Sequence, residues 1–311
     1  MNLYLLRPRG FCAGVVRAIK TVEKALDIWG APIYVKHEIV HNKHVVNALK
    51  EKGAIFIEDL NEVPVGEKII YSAHGVPPEI RALAKQRNLL EIDATCGLVT
   101  KIHSAVKRFS KKGYKIVLIG KKKHVEIIGI SKEAEDATTI VEKAGDVKDL
   151  SFKNDQKLFY ITQTTLSIDD VKDIVKALKE KFPNIETLPS SSICYATTNR
   201  QMALKETIKD VDLVLVVGDP TSSNSNRLKE LATKRVKKAY LINFENEIEK
   251  DWLNGVKNIA MTAGASTPED VVKRCIDKLF ELGLKNVKEV IYKDEDVVFA
   301  LPNVLDASLT R

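Results

Sequence analysis

One pattern recurs three times and limits the folds open to this chain: a short apolar strand, then a cysteine, then a helix with apolar residues at three- and four-residue spacing. It runs from Leu3-Tyr4-Leu5-Leu6 through Cys12 to a helix over Val15–Leu26, and from Leu90-Glu91-Ile92 through Cys96 to a helix over about 98–110. The third copy runs from 185–188 through Cys194 to a helix containing Met202 and Leu204. Two further strand ends in each copy deliver polar turns, at 41–42 and 72–75, at 123–126 and 162–165, and at 222–224 and 263–266. The second turn lies 29, 28 and 28 residues after the cysteine, and the third lies 62, 68 and 72 after it, at His74, Thr164 and Ser266.

Repetition at a period near 90 residues means three copies of one α/β unit. Connections from strand to helix to strand imply mostly parallel, roughly four-stranded sheets. The units expected are 1–93, 94–190 and 191–283, each with one cysteine. A tail, 284–311, has no counterpart in the repeat; its runs Val287–Tyr292 and Val297–Leu301 read as strands of a closing strap.

Parallel sheets gather functional groups beyond the carboxyl ends of their strands. If the copies pack about a pseudo-threefold axis with those ends inward, Cys12, Cys96 and Cys194 converge. Around them would stand His41, His74, His124, Glu126, Thr164, Thr165, Ser222, Ser223, Asn224 and Ser266. The first cysteine sits in Arg7-Pro8-Arg9-Gly10-Phe11-Cys12-Ala13-Gly14-Val15, where a glycine on either side leaves backbone room and the helix mouth favours a thiolate. Three thiolates suit zinc with an open fourth position, or an iron-sulfur cluster with one iron lacking a protein ligand. The ring of histidine, serine, threonine and asparagine has many donors and little charge, which fits a phosphate-bearing anion. Glu126 is its sole carboxylate and so the natural proton donor or relay.

Other features narrow the classes. The four cysteines include no C-x-x-C pair, which argues against a zinc ribbon or a redox dithiol. No apolar run reaches the roughly 18 residues of a membrane helix, and no signal peptide is read, so a cytoplasmic address without membrane partners is expected. The net charge of +7 is scattered lysine. The one tight run, Lys121-Lys122-Lys123, lacks aromatic neighbours for base stacking, so no nucleic-acid partner is expected. Cys275 lies within an apolar helix pattern and reads as core. His37, His44 and His103 fall outside the recurring turns and read as surface or capping groups. For Arg200 and Arg227, phosphate steering and ordinary salt bridging both fit.

These motifs carry a family resemblance. P-R-G-F-C-A-G-V from residue 8, V-K-H-E-I-V-H-N at 35–42, S-A-H-G at 72, D-A-T-C at 93 and H-V-E at 124 belong to it. So do Q-T-T-L-S at 163, I-C-Y-A-T-T-N-R-Q at 193, S-S-N-S-N-R-L at 222 and T-A-G-A-S-T-P at 262. Together, over residues 1 to about 283, the chain resembles the 4-hydroxy-3-methylbut-2-enyl diphosphate reductases, which close the non-mevalonate isoprenoid pathway. The resemblance implies a trefoil-like monomer around one oxygen-sensitive 4Fe-4S cluster held by Cys12, Cys96 and Cys194, with one open iron for the allylic hydroxyl.

It further implies two electrons from a ferredoxin or flavodoxin, with isopentenyl and dimethylallyl diphosphates as products. His41, His74, Ser222, Ser223, Asn224 and Ser266 would hold the diphosphate. His124 would contact it and assist the proton path, Glu126 would supply protons, and Thr164 would orient Glu126 and the substrate hydroxyl. Gly97 and Val125 stand where proline is usual, and Ile130 where threonine is common; none removes a ligand or the acid. The residues by themselves also admit a cluster-dependent hydro-lyase on a phosphorylated substrate, or a zinc-stapled anion-binding module.

Overall fold

The computed structural model describes residues 1–306, so residues 307–311 of the expected strap lie outside the described residues. The chain opens with β1 (Asn2–Arg7), α1 (Ala13–Trp29), β2 (Ile33–Lys36), α2 (Lys43–Glu51), β3 (Ala54–Ile57), β4 (Lys68–Tyr71), α3 (Pro78–Gln86) and β5 (Leu90–Asp93). It continues with α4 (Gly97–Lys111), β6 (Lys115–Ile119), α5 (Val125–Ser131), β7 (Thr138–Val141), β8 (Leu158–Thr162) and α6 (Ile168–Lys181). The remainder is α7 (Tyr195–Thr207), β9 (Leu213–Val217), α8 (Ser223–Thr233), β10 (Lys238–Ile242), β11 (Asn258–Ala263), α9 (Glu269–Glu281) and β12 (Asn286–Ile291). This is an α/β fold with three sheets, and every strand pairing among the described residues is parallel.

The chain divides into two compact units. One comprises Met1–Val15, His41–Val45 and Tyr195–Val297. Its sheet has the order β10-β9-β11-β1-β12. β9 is buried at all five positions, the uninterrupted apolar run needed by a strand covered on both faces. Leu213, Leu215 and Val217 pack with Met261, Val271, Cys275 and Leu279 on one face. Val214 and Val216 pack with Leu204 and Leu228 on the other. Cys275 is core as expected, and burial pushes its thiol up to about 12, far from any thiolate role at neutral pH.

The other unit comprises Val16–Val40, Val46–Cys194 and the residues from Val298 onward. It holds two sheets, β3-β2-β4-β5 and β7-β6-β8. The alternation repeats in the second of these. Ile116 and Leu118 of β6 pack with Ile102 and Val106 of α4. Val117 and Ile119 pack with Ile174 and Leu178 of α6.

The three sheets share one topology, displaced by a strand from the sequence repeat. β2, β6 and β9 each pair with the next two strands, β3 and β4, β7 and β8, β10 and β11. The strand before each cysteine then joins the last strand of the preceding copy: β5 on β4, Glu186 in a bridge to Phe159 of β8, and β1 on β11. Thus β1 belongs to the sheet built from residues 213–263, not to that of the segment it begins.

The sheets have five, four and three strands rather than four each. Residues 185–188 make only the bridge at Glu186, because Pro183 and Pro189 flank a segment too short to ladder. The tail strand at Val287–Tyr292 exists as β12, paired along β1. Residues 297–301 form no strand; the Ala300 carbonyl goes to the Arg17 side chain instead of a neighbouring strand.

Candidate active site

Each of Cys12, Cys96 and Cys194 immediately precedes a helix, namely α1, α4 and α7. Each also donates its backbone N–H to the second residue beyond a third strand: Cys12 to Ala265 at 3.1 Å, Cys96 to Ala73 at 3.0 Å and Cys194 to Thr164 at 2.9 Å. One hydrogen bond, formed three times, sets each cysteine at the same place in the repeat. All three are partly exposed, whereas Cys275 is buried.

A second triplet fixes the other turns. His37, Gly120 and Gly218, first beyond β2, β6 and β9, donate N–H to Ile57 (2.9 Å), Val141 (3.0 Å) and Ile242 (2.8 Å). Four residues further on stand His41, His124 and Ser222, so these three are equivalent as the spacing predicts. At the third turn the equivalents are His74, Thr165 and Ser266, each one past an acceptor of a cysteine N–H. Thr164 itself corresponds to Ala73 and Ala265, one residue earlier than the sequence offsets place it.

In the first unit the turn between β9 and α8 is built around buried Asp219. Its carboxylate accepts from Thr221 N (2.9 Å), Thr221 Oγ1 (2.7 Å) and Lys43 N (3.0 Å). Burial alone would raise its pKa, but the bonds from Thr221 and Lys43 outweigh burial and hold it below the ordinary carboxylate value. Ser222 caps α8 by accepting from Ser225 N. A Cβ at Gly218 or Gly264 would stand 2.3 or 2.1 Å from Ser225 Oγ, so only glycine lets both strand ends close on that side chain.

Asn224 follows in the first turn of α8. It is 4% exposed, and neither atom of its amide has a protein partner among the described residues. A buried amide left so costs roughly 1–3 kcal/mol, a cost tolerated where a ligand completes the bonds. Ser266 Oγ donates to the His41 carbonyl at 2.9 Å, which ties the two polar turns together.

The loop before Cys12 is equally determined. Gly10 has φ +66°, and a Cβ there would meet the Thr267 carbonyl at 3.2 Å, so the glycine is required; Gly14 lies inside α1. Arg9 is bound by Glu269 and Glu289, both at 2.7 Å. Arg200, wholly buried, donates to the Gly10 carbonyl at 2.7 Å and pairs with Glu295 at 3.1 Å, so it is a structural cation and not a free phosphate ligand.

In the second unit Glu126 is 2% exposed at the start of α5. Thr164 donates to it twice, N to Oε1 at 2.7 Å and Oγ1 to Oε2 at 2.8 Å. Glu126 N donates to His124 Nδ1 at 3.2 Å, which assigns the proton of a neutral His124 to Nε2. The His124 ring stands 6.2 Å from that of His74, edge to face. Glu126, His124, Thr164 and His74 are therefore assembled in one place. Buried Gln163 braces them, accepting from Lys121 N at 3.1 Å and donating to Thr165 Oγ1 at 3.0 Å.

Two histidines depart from their sequence reading. His37 adds to the row of imidazoles, 6.0 Å from His74, with its Nδ1 2.7 Å from Glu58 Oε1. The signal that could have found it is its position, first beyond β2. His103 is buried, with Nδ1 2.8 Å from Glu133. His44 caps as expected, its Nε2 2.9 Å from the Asn243 carbonyl.

Residues 3–280 match the family model described as LytB protein. The chain is 66% identical over 302 residues to the 4-hydroxy-3-methylbut-2-enyl diphosphate reductase of Protochlamydia amoebophila, covering 97% of this chain and 96% of that one. It is 62% identical over 309 residues to the enzyme of that name from Chlamydia pneumoniae, covering 99% of each. Among solved structures it is similar to the E-1-hydroxy-2-methyl-but-2-enyl-4-diphosphate reductase from Plasmodium falciparum, with a TM-score of 0.95 and 48% identity over 97% of this chain and 96% of that one. No helix among the described residues is long and apolar enough to cross a membrane.

Proposed function

The chain belongs to the LytB protein family, and on that premise we propose that it reduces 4-hydroxy-3-methylbut-2-enyl diphosphate to isopentenyl and dimethylallyl diphosphates. The reaction takes two electrons and two protons: one proton leaves with the hydroxyl as water and the other ends on the allyl carbon. Cys12, Cys96 and Cys194 are the residues that would hold one 4Fe-4S cluster. They fit it as partly exposed thiols, each presented from a helix mouth, each with its N–H already committed to the chain. When bound, such a cluster supplies electrons singly and leaves an iron open to the substrate hydroxyl.

The diphosphate falls to His41, His74, His124, Ser222, Ser223, Asn224 and Ser266, a set that binds by hydrogen bonds more than by charge. The single observation that carries this is Asn224, whose buried amide has no protein partner among the described residues. The hydroxyl of Thr164 donates to Glu126 Oε2 while the acid is ionised; once Glu126 is protonated at Oε2 that bond reverses, and Thr164 Oγ1 accepts from the acid while its own proton passes to the departing oxygen. Thr164 thereby also orients the substrate hydroxyl. Ferredoxin or flavodoxin would deliver the electrons to the enzyme, a monomer. We place it in the cytoplasm, where thiols stay reduced.

Anaerobic purification tests the proposal. The expected protein is brown, holds about four irons per chain, bleaches in air and turns over substrate only with a reductant. A colourless zinc protein would overturn the cluster, and turnover without reductant would make the enzyme a hydro-lyase.

A further inference from the structure

Each helix that follows a cysteine carries a basic side chain one turn or more inside it: Arg17 on α1, Lys101 on α4 and Arg200 on α7. Each bonds the segment leading to another cysteine. Arg17 donates to the carbonyls of Thr95 (3.0 Å) and Asp93 (3.1 Å), just before Cys96. Lys101 donates to Ser190 Oγ (2.7 Å), four residues before Cys194. Arg200 donates to the Gly10 carbonyl (2.7 Å), two residues before Cys12. Each cysteine helix thus grips the segment leading to the next cysteine in the repeat, and the third grips the first.

The tail is fastened to two of these grips. Glu295 receives Arg200 Nη1 on both oxygens, at 3.1 and 3.2 Å, and Asn199 Nδ2 at 3.0 Å. Ala300 O receives Arg17 Nε at 2.7 Å, and a Cβ on Gly97, the residue after Cys96, would stand 3.6 Å from the ring of Phe299. The same stretch meets the basic turn before Cys12: Asp294 pairs with Arg7 at 3.2 Å, and Glu289 with Arg9 at 2.7 Å.

Arg200 is 0% exposed, and a guanidinium is a cation with five donors and no acceptor. A buried cation needs a partner to remain where it is, and Glu295, with its side chain 12% exposed, is that partner. We infer that residues 294–300 act as a latch, with Glu295 as the positioning group that holds Arg200, and through it the loop of Cys12, and Ala300 as the one that holds Arg17, and through it the loop of Cys96, each loop being fixed within its own unit. The inference rests on the reading that these cysteines hold a cluster. It adds that the Arg200–Glu295 pair would contribute fixed charge to a cluster held by Cys12, since Arg200 bonds the chain two residues before that cysteine.

The test compares anaerobically purified wild type with Glu295→Gln, Glu295→Asp and Arg17→Gln. The readouts are amide hydrogen exchange, the cluster's reduction potential and the rate of bleaching in air. Glu295→Gln should keep its iron under anaerobic conditions but exchange the Cys12 amide at least about tenfold faster. Its potential should shift positive, because the Arg200 charge stays while its counter-charge is lost, and it should bleach faster. Glu295→Asp should restore the potential. Arg17→Gln should loosen the Cys96 amide and leave that of Cys12 protected, which keeps the latch testable if Glu295→Gln does not fold. Wild-type exchange and potential in Glu295→Gln would overturn the inference. If wild type itself holds no iron the cluster reading falls separately, and exchange at the two amides then decides the latch alone, unchanged exchange refuting it.

Discussion

Glu126 and Asn224 occupy the same helical position in two copies of one repeat, each two residues past its N-cap, His124 and Ser222. Both are at least nine-tenths buried, yet their surroundings are opposite. Both oxygens of Glu126 are taken by Thr164, whereas the Asn224 amide has no partner among the described residues. The repeat therefore supplies a position, and the third turn decides its use. Where that turn offers a threonine it locks in place the acid to which we assign the proton work. In the other copy Ala265 corresponds to Thr164, and on the proposed function the side chain serves a ligand.

Substitutions at the two positions should accordingly separate chemistry from binding. Glu126→Gln should keep iron and substrate affinity while kcat falls by about a hundredfold to ten-thousandfold, because shape survives and the proton does not. Near-normal kcat would assign the proton elsewhere. Asn224→Ala should raise KM by about tenfold to a hundredfold with little change in Tm, since the amide bonds nothing in the protein. A large drop in Tm with unchanged KM would make Asn224 structural and erase the contrast. Thr164→Val should lower kcat, because the relay hydroxyl is gone, and also stability, by roughly 1.5–3 kcal/mol in denaturant unfolding, because a buried carboxylate oxygen loses its donor.

A smaller effect concerns the turn that presents Asn224. The Asp219 pKa is lower folded than unfolded, so its contribution to stability is full above the ordinary value of 3.8 and is lost as pH falls through the lower folded value. Unfolding midpoints measured from about pH 5 down to about pH 3 should fall less steeply in Asp219→Asn than in wild type. Equal slopes would show that Asp219 is not the group that titrates.

Much of this was legible in the chain because it is local. A cysteine between a strand and a helix, and polar turns at fixed distances past strand ends, follow from periodicity and spacing, and Cys12, Cys96 and Cys194 do occupy one repeat position. Strand membership was not legible in the same way. Asn2 pairs with Asn258, and nothing near residue 2 specifies a partner so distant. The one-residue displacement of Thr164 was hidden because loop lengths differ between copies, and only the cysteine N–H bonds align them. His37 escaped because it lies before the polar turn that drew attention, and Asn224 looked like its serine neighbours until burial showed its amide unmatched. Arg200 could not be assigned from sequence because its partners, Gly10 and Glu295, come from opposite ends of the chain.

On the proposed function, Cys12, Cys96 and Cys194 act as three equivalent ligands of one cluster with an open iron. Mössbauer spectroscopy of iron-enriched protein, purified without oxygen and recorded with and without substrate, tests it most directly. The account predicts a single 4Fe-4S centre in which one iron differs from the other three and alone responds to substrate. Four irons that stay equivalent on substrate addition, or an unchanged cluster when Cys12, Cys96 or Cys194 is replaced by alanine, would contradict it.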